Sequence, residues 1–560
     1  MGIRPPSDHT FDYIVIGAGT AGGVIAKKLT DDNKTSVLVL EAGTNMPNRS
    51  GSIARADQLA NDNKLSYIAL SQIENMIGRQ LKLWGGRAIG GSSQHSFMTA
   101  IRGSRNLYDE WARLAGKQWS YESVRPLFKY NETYTGKTQN PSERGTNGPI
   151  FVRQQIIPNG GLIYTLVNAT SEVLDIPIVE DYNTGIENAT SYKVQFTQQQ
   201  LGQKFIRSST ATGYLNRKIV TQGNEFHPDE FGVGQRKLSI FAKTTVNKIL
   251  FKQKKWKKVA TGVEYVRNGV SQKAYARKGV ILSAGIFSSV ILQRSGIGRP
   301  SDLAAAGIST LVDSPNVGHN LQTQFYVGMG VEVETTRLLQ VLAADPDQPI
   351  TFGAIKKDKK PGRRLQLFGF PLPSFLPIQD VLVNHWQFNP AKPSNIMSVI
   401  IADLNPRSKG TVTVAHSDPE AYPSIQFNPL ANPNDLNFIV DQYIKSFKIM
   451  KRAWELDPDG KYNVVYPPES IFNLRNEEEK RNLLADYARA TYSNFAHYGG
   501  QCKMARSIRE GVVDGYLNVF GTKNLKVADL SIAPILPDGN TSIPAQMIGL
   551  NAVRFLKRGL

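Results

Sequence analysis

The chain has a single cysteine, Cys502, among its 560 residues. One thiol excludes an intrachain disulfide, a dithiol redox centre and a cysteine metal cluster. The seven histidines have no metal-ligand spacing, so we predict no metal site. No apolar run approaches the roughly 20 residues that a membrane-spanning helix needs, so we predict no membrane partner. The remaining composition, 41% hydrophobic and 20% charged, indicates a globular protein of two or more domains.

Acidic residues are few compared with basic ones, and the formal net charge is +19. From Lys243 to Lys278 there are eleven basic residues and one acid, Glu264. A second basic cluster, Lys356 to Arg364, contains turn residues that predict an exposed loop. These clusters form either a solvated face that aids solubility or a surface for a polyanion such as nucleic acid. Composition alone favours neither interpretation.

The first ordered pattern is a buried strand at 11–16 that runs directly into a glycine turn and then a helical segment. The turn consists of Gly17, Ala18, Gly19, Thr20, Ala21 and Gly22. Gly17 permits the tight turn, Gly19 lets the backbone approach a pyrophosphate, and Gly22 lets helix and strand pack closely. The helix N-terminus supplies free N–H groups for the pyrophosphate. The pattern therefore predicts a dinucleotide site, against the alternative of a glycine turn in an ordinary α/β unit.

A second apolar strand at 37–40 ends at Glu41, which Ala42 follows. A carboxylate at this point can accept hydrogen bonds from both ribose hydroxyls, and it would repel a 2′-phosphate. The sequence therefore disfavours NADP.

Later segments predict one cofactor domain in separate pieces with a second domain inserted between them. Strand patterns recur from 238 to 282, and a helix follows. Residues 321–493 are punctuated by proline and aromatic residues, and the chain end returns to α/β character. We predict an α/β fold, α+β overall, with a Rossmann-like domain over 8–160, 200–320 and 494–560. The inserted substrate domain then covers 161–199 and 321–493.

Five further blocks resemble the signatures of the glucose–methanol–choline (GMC) flavoprotein oxidoreductases. They are Gly85–Ser93 with Arg102-Gly103, Ala284–Gly298, Phe495–Met504, Val527–Ser531 and Asp538–Pro544. The segments NFAHYGGQCKMA and SAGIFSSVILQRSGIG resemble most the members of this family that mimivirus-like giant viruses encode. The resemblance implies bound FAD, an inserted domain with antiparallel sheet and helices, and a homodimer. It also implies oxidation of an alcohol, with the electrons passing to oxygen or another acceptor.

The resemblance assigns roles to individual residues. His497 is the implied base, because a histidine with its ordinary pKa near 6.5 accepts protons at neutral pH; the alternative is a satisfied core histidine. Asn540 occupies the second position and would hold the substrate oxygen. The other implied FAD contacts are Trp84, Arg87, Gly90, Gly91, Ser92, His95, Ser96, Val246, Asp529, Thr541 and Ser542.

The chain departs from the family pattern in three places. Gln94-His95-Ser96 replaces the usual aliphatic–Asn pair, and His95 falls where some relatives bond covalently to the flavin. We predict noncovalent FAD, with His95 as an exposed polar side chain and a covalent link as the alternative. Tyr498–Gln501 replaces the usual Pro-Val-Gly-Thr, and Asn320–Gln324 lacks the common Gln-Asp-His.

Two functional interpretations follow from these patterns. The first is an alcohol-oxidising enzyme, for which the aromatic residues of the inserted domain indicate an apolar or aryl substrate. These are Phe368, Phe370, Phe375, Trp386 and Phe388. The second is a virion component that packages nucleic acid through its basic surfaces. The corresponding locations are a virion or host cytoplasm if the viral resemblance holds, and otherwise the cytoplasm.

Overall fold

The computed structural model describes residues 9–45, 62–224, 226–254, 257–358, 362–371 and 395–560. Its helices are α1 (Gly22–Leu29), α2 (Arg105–Ala115), α3 (Tyr121–Asn131), α4 (Leu162–Leu174), α5 (Thr210–Gly213), α6 (Phe287–Arg294), α7 (Pro300–Ala305), α8 (Thr335–Ala344), α9 (Pro433–Leu456), α10 (Glu469–Phe472), α11 (Glu477–Thr491) and α12 (Ser542–Lys557). Across these ranges no helix has both the length and the apolar character needed to cross a membrane.

The strands from the first half of the chain are β1 (Thr10–Ile16), β2 (Val37–Leu40), β3 (Ser66–Leu70), β4 (Lys82–Gly86), β5 (Glu132–Tyr134), β6 (Ile150–Gln154), β7 (Ala189–Ser191), β8 (Gln195–Phe196), β9 (Gln198–Leu201), β10 (Lys204–Arg207), β11 (Glu230–Phe231), β12 (Leu238–Phe241), β13 (Thr244–Lys254), β14 (Lys257–Arg267) and β15 (Val270–Leu282). Those that follow are β16 (Ile297–Gly298), β17 (Val312–Asp313), β18 (His319–Leu321), β19 (Phe325–Val333), β20 (Phe352–Lys357), β21 (Arg364–Phe370), β22 (Ile396–Asp403), β23 (Gly410–Thr413), β24 (Ser424–Gln426), β25 (Lys461–Tyr466), β26 (Ser493–Asn494), β27 (Thr522–Lys523) and β28 (Leu525–Val527).

A nine-stranded sheet forms the first half of the architecture, in the order β11-β12-β2-β1-β15-β14-β13, with β27 and β28 added beside β14 and β15. The strands β12, β2, β1 and the end of β15 run parallel. All four residues of β2 are buried, as expected for a parallel strand that is covered on both faces. The predicted opening unit of strand, helix and strand is confirmed as β1, α1 and β2.

Strand β15 joins two parts of this sheet. Its first residues, Val270 to Tyr275, pair antiparallel with β14, whereas Val280 to Leu282 pair parallel with β1 and β28. The predicted strands between 238 and 282 are thus confirmed. The basic run from Lys243 to Lys278 lies mostly on the antiparallel extension that β13, β14 and β15 form.

A seven-stranded sheet forms the second half, in the order β25-β19-β22-β21-β20-β7, with β26 beside β19. Every pairing in it is antiparallel, and α9 packs against both β22 and α4. The predicted antiparallel sheet with helices is therefore confirmed. Its strands come from 189–191, 325–403 and 461–494. The division into two domains at the predicted boundaries remains a proposal.

Each sheet has its own hydrophobic core, and a smaller cluster of buried residues is separate from both. This small cluster consists of Ile101, Val194, Phe196, Ile350, Phe368, Ile400 and Tyr466. Partly buried rings, including Tyr326 and Phe495, pack against it. Of the aromatic residues predicted to shape a substrate site, Phe375, Trp386 and Phe388 lie outside the described residues.

The prediction of an exposed basic loop at 356–364 is wrong for its arginines. Arg363 is 2% exposed and Arg364 is 3% exposed. The Arg363 guanidinium binds Asp403 and also Asp435, at 2.8 Å from Nη1 to Oδ1. Two carboxylates together offset the cost of burying one guanidinium, which a count of charges along the sequence does not reveal. Residues 359–361 lie outside the described part of the chain.

Candidate active site

Two glycine turns pack against each other at the carboxyl ends of the parallel strands. Gly17 has φ +95°, and a Cβ there would lie 2.6 Å from the carbonyl oxygen of Ser283. A Cβ on Gly22 would lie 2.0 Å from the carbonyl oxygen of Gly17. A Cβ on Gly91, at φ +53°, would lie 2.7 Å from Cα of Gly19. Side chains are excluded at three of these positions, so the backbones meet directly.

The N-terminus of α1 opens onto this pair of turns. Its N-cap, Ala21, provides no side-chain cap, and the first helical turn contains no acid. The orphan N–H groups and the positive end of the helix dipole are therefore available to an anion. Helix α12 packs against α1 closely, because a Cβ on Gly549 would lie 2.7 Å from the carbonyl oxygen of Ala21. Thr541 and Ser542 stand at the start of α12.

Glu41 lies beside the glycine turn and is 6% exposed. One carboxylate oxygen accepts from the Ala18 amide at 2.8 Å, and the other accepts from the Gly43 amide at 2.8 Å. Burial raises the pKa of this carboxyl. Each oxygen retains a lone pair for a further donor, so the predicted bonds to ribose hydroxyls remain available.

The neighbours of Glu41 bring other predicted residues to the same place. The Arg87 Nε–H donates to the Ala42 carbonyl at 3.4 Å. The Thr244 amide donates to the Glu41 carbonyl at 2.9 Å, two residues before Val246 on β13. The nucleotide end of the predicted site is therefore assembled from the first 90 residues and from β13.

The second glycine block is held by its own side chains. The Ser92 hydroxyl accepts from the Gly86 amide at 3.0 Å, and the Gly90 amide donates to the Ala18 carbonyl at 2.8 Å. The backbone of Trp84 donates to the Tyr498 hydroxyl at 3.3 Å, which links this block to the predicted histidine motif. Tyr498 therefore connects two segments that are separated by about four hundred residues of sequence.

His95 is buried, which corrects the prediction of an exposed side chain. It is 1% exposed, and neither ring nitrogen has a hydrogen-bond partner among the described residues. Its ring lies 5.6 Å from that of Trp84. Burial, reinforced by the nearby charge of Arg207, lowers the pKa of His95 to about 4, so the imidazole is neutral. The ring nitrogens of this buried imidazole could therefore form hydrogen bonds with a bound cofactor.

Arg207 belongs to this site, although sequence reasoning missed it. Its Nη1 donates to the carbonyl oxygens of Ser93 at 3.3 Å and Ser96 at 2.6 Å, and to the Ser96 hydroxyl at 3.2 Å. The guanidinium is fully buried and has no carboxylate partner in the described part of the chain, and burial lowers its pKa to about 9. It therefore holds the loop around His95 and adds positive charge there.

His497 is partly buried and follows Ala496, whose φ is +57°. The His497 Nδ1 lies 2.6 Å from Oε1 of Gln324. The same Gln324 side chain donates from Nε2 to the carbonyls of Pro537 at 2.6 Å and Gly539 at 3.1 Å. One amide thus connects His497 to the turn that immediately precedes Asn540.

The pKa of His497 differs from its ordinary value near 6.5, on which its predicted role was argued. Burial alone lowers it to about 4, so the imidazole is neutral at pH 7. The ring is therefore unprotonated, and burial makes it a weaker base than a free imidazole. Its own Nε2 has no hydrogen-bond partner among the described residues.

Asn540 is partly exposed, and its Oδ1 accepts from Nε2 of Gln366 at 3.3 Å. That contact occupies the acceptor end of the Asn540 amide and leaves its N–H groups for another acceptor. Gln366 lies on β21 and is 1% exposed. The second half of the molecule thus contributes to the site through Gln324 and Gln366.

The carboxylate of Asp529 forms hydrogen bonds with groups of the protein itself. Its carboxylate accepts from the Gly285 amide at 2.9 Å, the Ser288 hydroxyl at 2.6 Å and the Ser531 amide at 2.9 Å. Burial raises its pKa. These bonds tie the turn after β15 to the turn after β28, and the predicted contact of Asp529 with the cofactor remains a prediction.

Aromatic rings form one wall beside His497. The Phe495 ring stacks on the His497 ring at 5.6 Å between centroids, and the Tyr326 ring stacks on Phe495 at 4.5 Å. Both aromatic residues pack against the small buried cluster that contains Phe368. The His497 ring therefore lies next to an apolar surface.

These residues fit FAD. The uncapped start of α1 and the paired glycine turns suit a pyrophosphate, Glu41 suits a ribose, and the unpartnered nitrogens of His95 suit a polar ring system near Trp84. Among the described residues no group of histidines, cysteines and acids could hold a metal ion.

The geometry fits a dinucleotide cofactor, and comparison with known proteins identifies the family and its oxidoreductase class. Models described as GMC oxidoreductase match residues 11–326 and 406–549. The chain belongs to the GMC oxidoreductase family. It is 30% identical to the oxygen-dependent choline dehydrogenase of Acinetobacter baumannii (strain AYE), over 96% of this chain and 95% of that protein.

Solved structures share the fold. Pyridoxine 4-oxidase from Mesorbium loti superposes with a TM-score of 0.78 at 20% identity, covering 98% of this chain and 99% of that one. The R554A variant of Aspergillus oryzae RIB40 formate oxidase, solved in a study of FAD modification, superposes with a TM-score of 0.80 at 20% identity, covering 99% of both chains. The predicted family and fold class are thus confirmed. The resemblance to giant-virus members, the homodimer and the individual site residues remain predictions.

Proposed function

We propose that this chain is an FAD-dependent enzyme that oxidises an uncharged apolar or aryl alcohol, with His497 as the base. The observation that carries the proposal is the Gln324 amide, which contacts His497 and the turn before Asn540 together. It supports a single site that contains one proton acceptor and one hydrogen-bond donor. The FAD is predicted to be noncovalent, with a link through His95 as the alternative.

The residues divide the reaction between them. When bound, FAD supplies the acceptor for the hydride that leaves the substrate carbon. The neutral His497 imidazole takes the hydroxyl proton, and the Asn540 N–H donates to the substrate oxygen as negative charge develops there. The stacked rings of Tyr326 and Phe495 exclude water from one side of the reacting carbon.

The electrostatics of the site favour an uncharged substrate. Arg207 places a buried cation near Ser96 and His95, and no carboxylate of the described residues pairs with it. A cationic alcohol would be repelled by this charge. Aromatic rings also attract quaternary ammonium groups, at about 0.5–2 kcal/mol each, so the rings alone do not decide between the two classes. The unpaired guanidinium supports the uncharged class.

A matched pair of alcohols tests this substrate class. Choline and 3,3-dimethylbutan-1-ol have the same shape, but only choline carries a charge. We expect the neutral alcohol, and aryl alcohols such as benzyl alcohol, to bleach the flavin absorbance at least about tenfold more efficiently than choline. A tenfold ratio corresponds to a free-energy difference of about 1.4 kcal/mol. The measurement is anaerobic flavin reduction followed by stopped-flow absorbance. Faster reduction by choline would overturn the proposed substrate class.

A second candidate function is binding of a polyanion, including nucleic acid packaged in a virion. A lysine surface (Lys252, Lys254, Lys257, Lys258 and Lys273) on β13, β14 and β15 supports it, because none of these lysines has an ion pair within the described ranges. The neighbouring Lys248 pairs with Glu264. Phosphate neutralisation requires no base-reading motif. The two functions are compatible in one protein.

Charge reversal tests the lysine surface. The triple variant Lys254→Glu, Lys257→Glu and Lys258→Glu is expected to weaken binding to duplex DNA at least about tenfold near 0.15 M salt and to flatten the salt dependence, because fewer phosphates are neutralised. The control reverses Arg452, Arg481 and Arg489, which are paired with acids elsewhere, by the same total charge. Equal binding by wild type and both variants in a fluorescence titration would leave the lysine surface as a solvated face.

A further inference from the structure

Among the described residues, the side chain that forms a hydrogen bond with the candidate base is that of Gln324. Its Oε1 lies 2.6 Å from Nδ1 of His497, and its backbone carbonyl accepts from the Phe495 amide at 3.0 Å. The residue is fully buried. Both ends of Gln324 are thus bound to the segment that carries the histidine.

The surroundings of Gln324 fix which way its amide points. Nε2 faces two carbonyl oxygens, those of Pro537 at 2.6 Å and Gly539 at 3.1 Å. Only an N–H can face a carbonyl oxygen, so the amide oxygen must be the atom that faces His497. An amide oxygen accepts and cannot donate, so the nitrogen opposite it must carry a proton.

We propose that Gln324 is a positioning residue that holds His497 as the Nδ1–H tautomer, so that Nε2 is the atom that accepts the substrate proton. The opposite tautomer would place the Nδ1 lone pair 2.6 Å from the amide oxygen, where the two repel. This inference rests on the proposed function, in which His497 is the base. It adds the atom that reacts and the residue that selects it.

The Gln324 amide also sets the position of Asn540, the proposed hydrogen-bond donor to the substrate oxygen. By donating to Pro537 and Gly539 it holds the turn that precedes Asn540, and Gly539 has φ +149° with a Cβ position only 2.5 Å from Ile101. Movement of Gln324 therefore displaces the proton acceptor and the donor together. This coupling explains why a side chain that does not itself react would affect the rate.

The tautomer can be measured directly. The chain has seven histidines, few enough for ¹⁵N-histidine labelling and two-bond ¹H–¹⁵N correlation of the full-length, FAD-bound protein, with His497→Ala used to assign the signal. We expect His497 to show a protonated Nδ1 and an unprotonated Nε2. A protonated Nε2 in the wild type would overturn the proposal, whatever the activity of the enzyme.

Three variants test the role of the amide oxygen. Gln324→Leu removes it and is expected to give mixed tautomers and at least about tenfold slower flavin reduction, a ratio equivalent to 1.4 kcal/mol. Gln324→Glu keeps an oxygen at the contact, so we expect it to retain the Nδ1–H tautomer. Its second oxygen faces the carbonyl oxygens of Pro537 and Gly539, where only a protonated oxygen can donate, so we expect a neutral carboxyl and an acid limb of the rate close to that of the wild type. Thr323→Val is the matched control, because the Thr323 hydroxyl is buried and has no hydrogen-bond partner among the described residues.

The outcomes separate this proposal from the function on which it rests. If Gln324→Leu matches Thr323→Val in tautomer and rate, the positioning role is wrong. If Gln324→Leu does not fold, the tautomers of the wild type and of Gln324→Glu still decide. If His497→Ala reduces its flavin normally while the wild-type tautomer is Nδ1–H, the base assignment is wrong and the hydrogen-bond geometry is right.

Discussion

His497→Ala is expected to retain FAD and to lose flavin reduction by a working alcohol, by about 10²- to 10⁴-fold, the usual contribution of a general base. FAD is retained because, in the described part of the chain, the His497 side chain forms no hydrogen bond with the glycine turns, with Glu41 or with the start of α1. The rate falls because no other histidine of the described residues is connected to the turn before Asn540, as His497 is through Gln324. Anaerobic stopped-flow absorbance measures the rate, and the flavin spectrum measures the bound cofactor.

His227→Ala is the matched control, since it makes the same change at an exposed histidine. We expect its flavin content and its reduction rate to equal those of the wild type. A His497→Ala protein that binds FAD and is reduced at the control rate would remove His497 from the mechanism. A loss of FAD from His497→Ala would instead place the ring in the cofactor site.

Gly19→Ala is expected to weaken FAD binding by roughly 5- to 150-fold. This range corresponds to a cost of about 1–3 kcal/mol, which is typical of overpacking. In the protein itself the change is tolerated, since a Cβ on Gly19 would have its nearest neighbours at 3.9 Å and the φ of Gly19 is not left-handed. Only a pyrophosphate that approaches the backbone would meet the added methyl group. Titration of FAD into the apoprotein measures the change.

Gly22→Ala is the contrasting variant, because its Cβ would lie 2.0 Å from the carbonyl oxygen of Gly17. We expect it to lower the melting temperature of the apoprotein, which Gly19→Ala should leave near that of the wild type. Unchanged FAD affinity in Gly19→Ala would contradict the placement of the pyrophosphate at this turn.

The sequence patterns predicted the parts of the fold that depend on local order. The segment from Phe11 to Glu41 has buried strands, a glycine turn and a helix within thirty residues, and each element occurs where its pattern lies. The strands between 238 and 282 could also be predicted, because alternating or continuous apolar runs indicate strands with one or both faces buried.

The side chains around the site were predicted less well, because their environments come from distant segments. The burial of His95 could not be predicted from the residues next to it in the sequence. Arg363 is neutralised by Asp403 and Asp435, which lie 40 and 72 residues further along the chain. Gln324 stood out only as a departure from the family pattern. Its partners, His497 and the 537–539 turn, are more than 170 residues away.

The close packing of α12 on α1 has a consequence for how the protein is made. Helix α1 is synthesised before α12, and more than five hundred residues separate the two. At about 5–20 residues per second, synthesis of the residues between them takes roughly half a minute to two minutes. Throughout that time α1 lacks the helix that packs against it. A chain that stops short of residue 542 therefore leaves the face of α1 that contacts α12 uncovered.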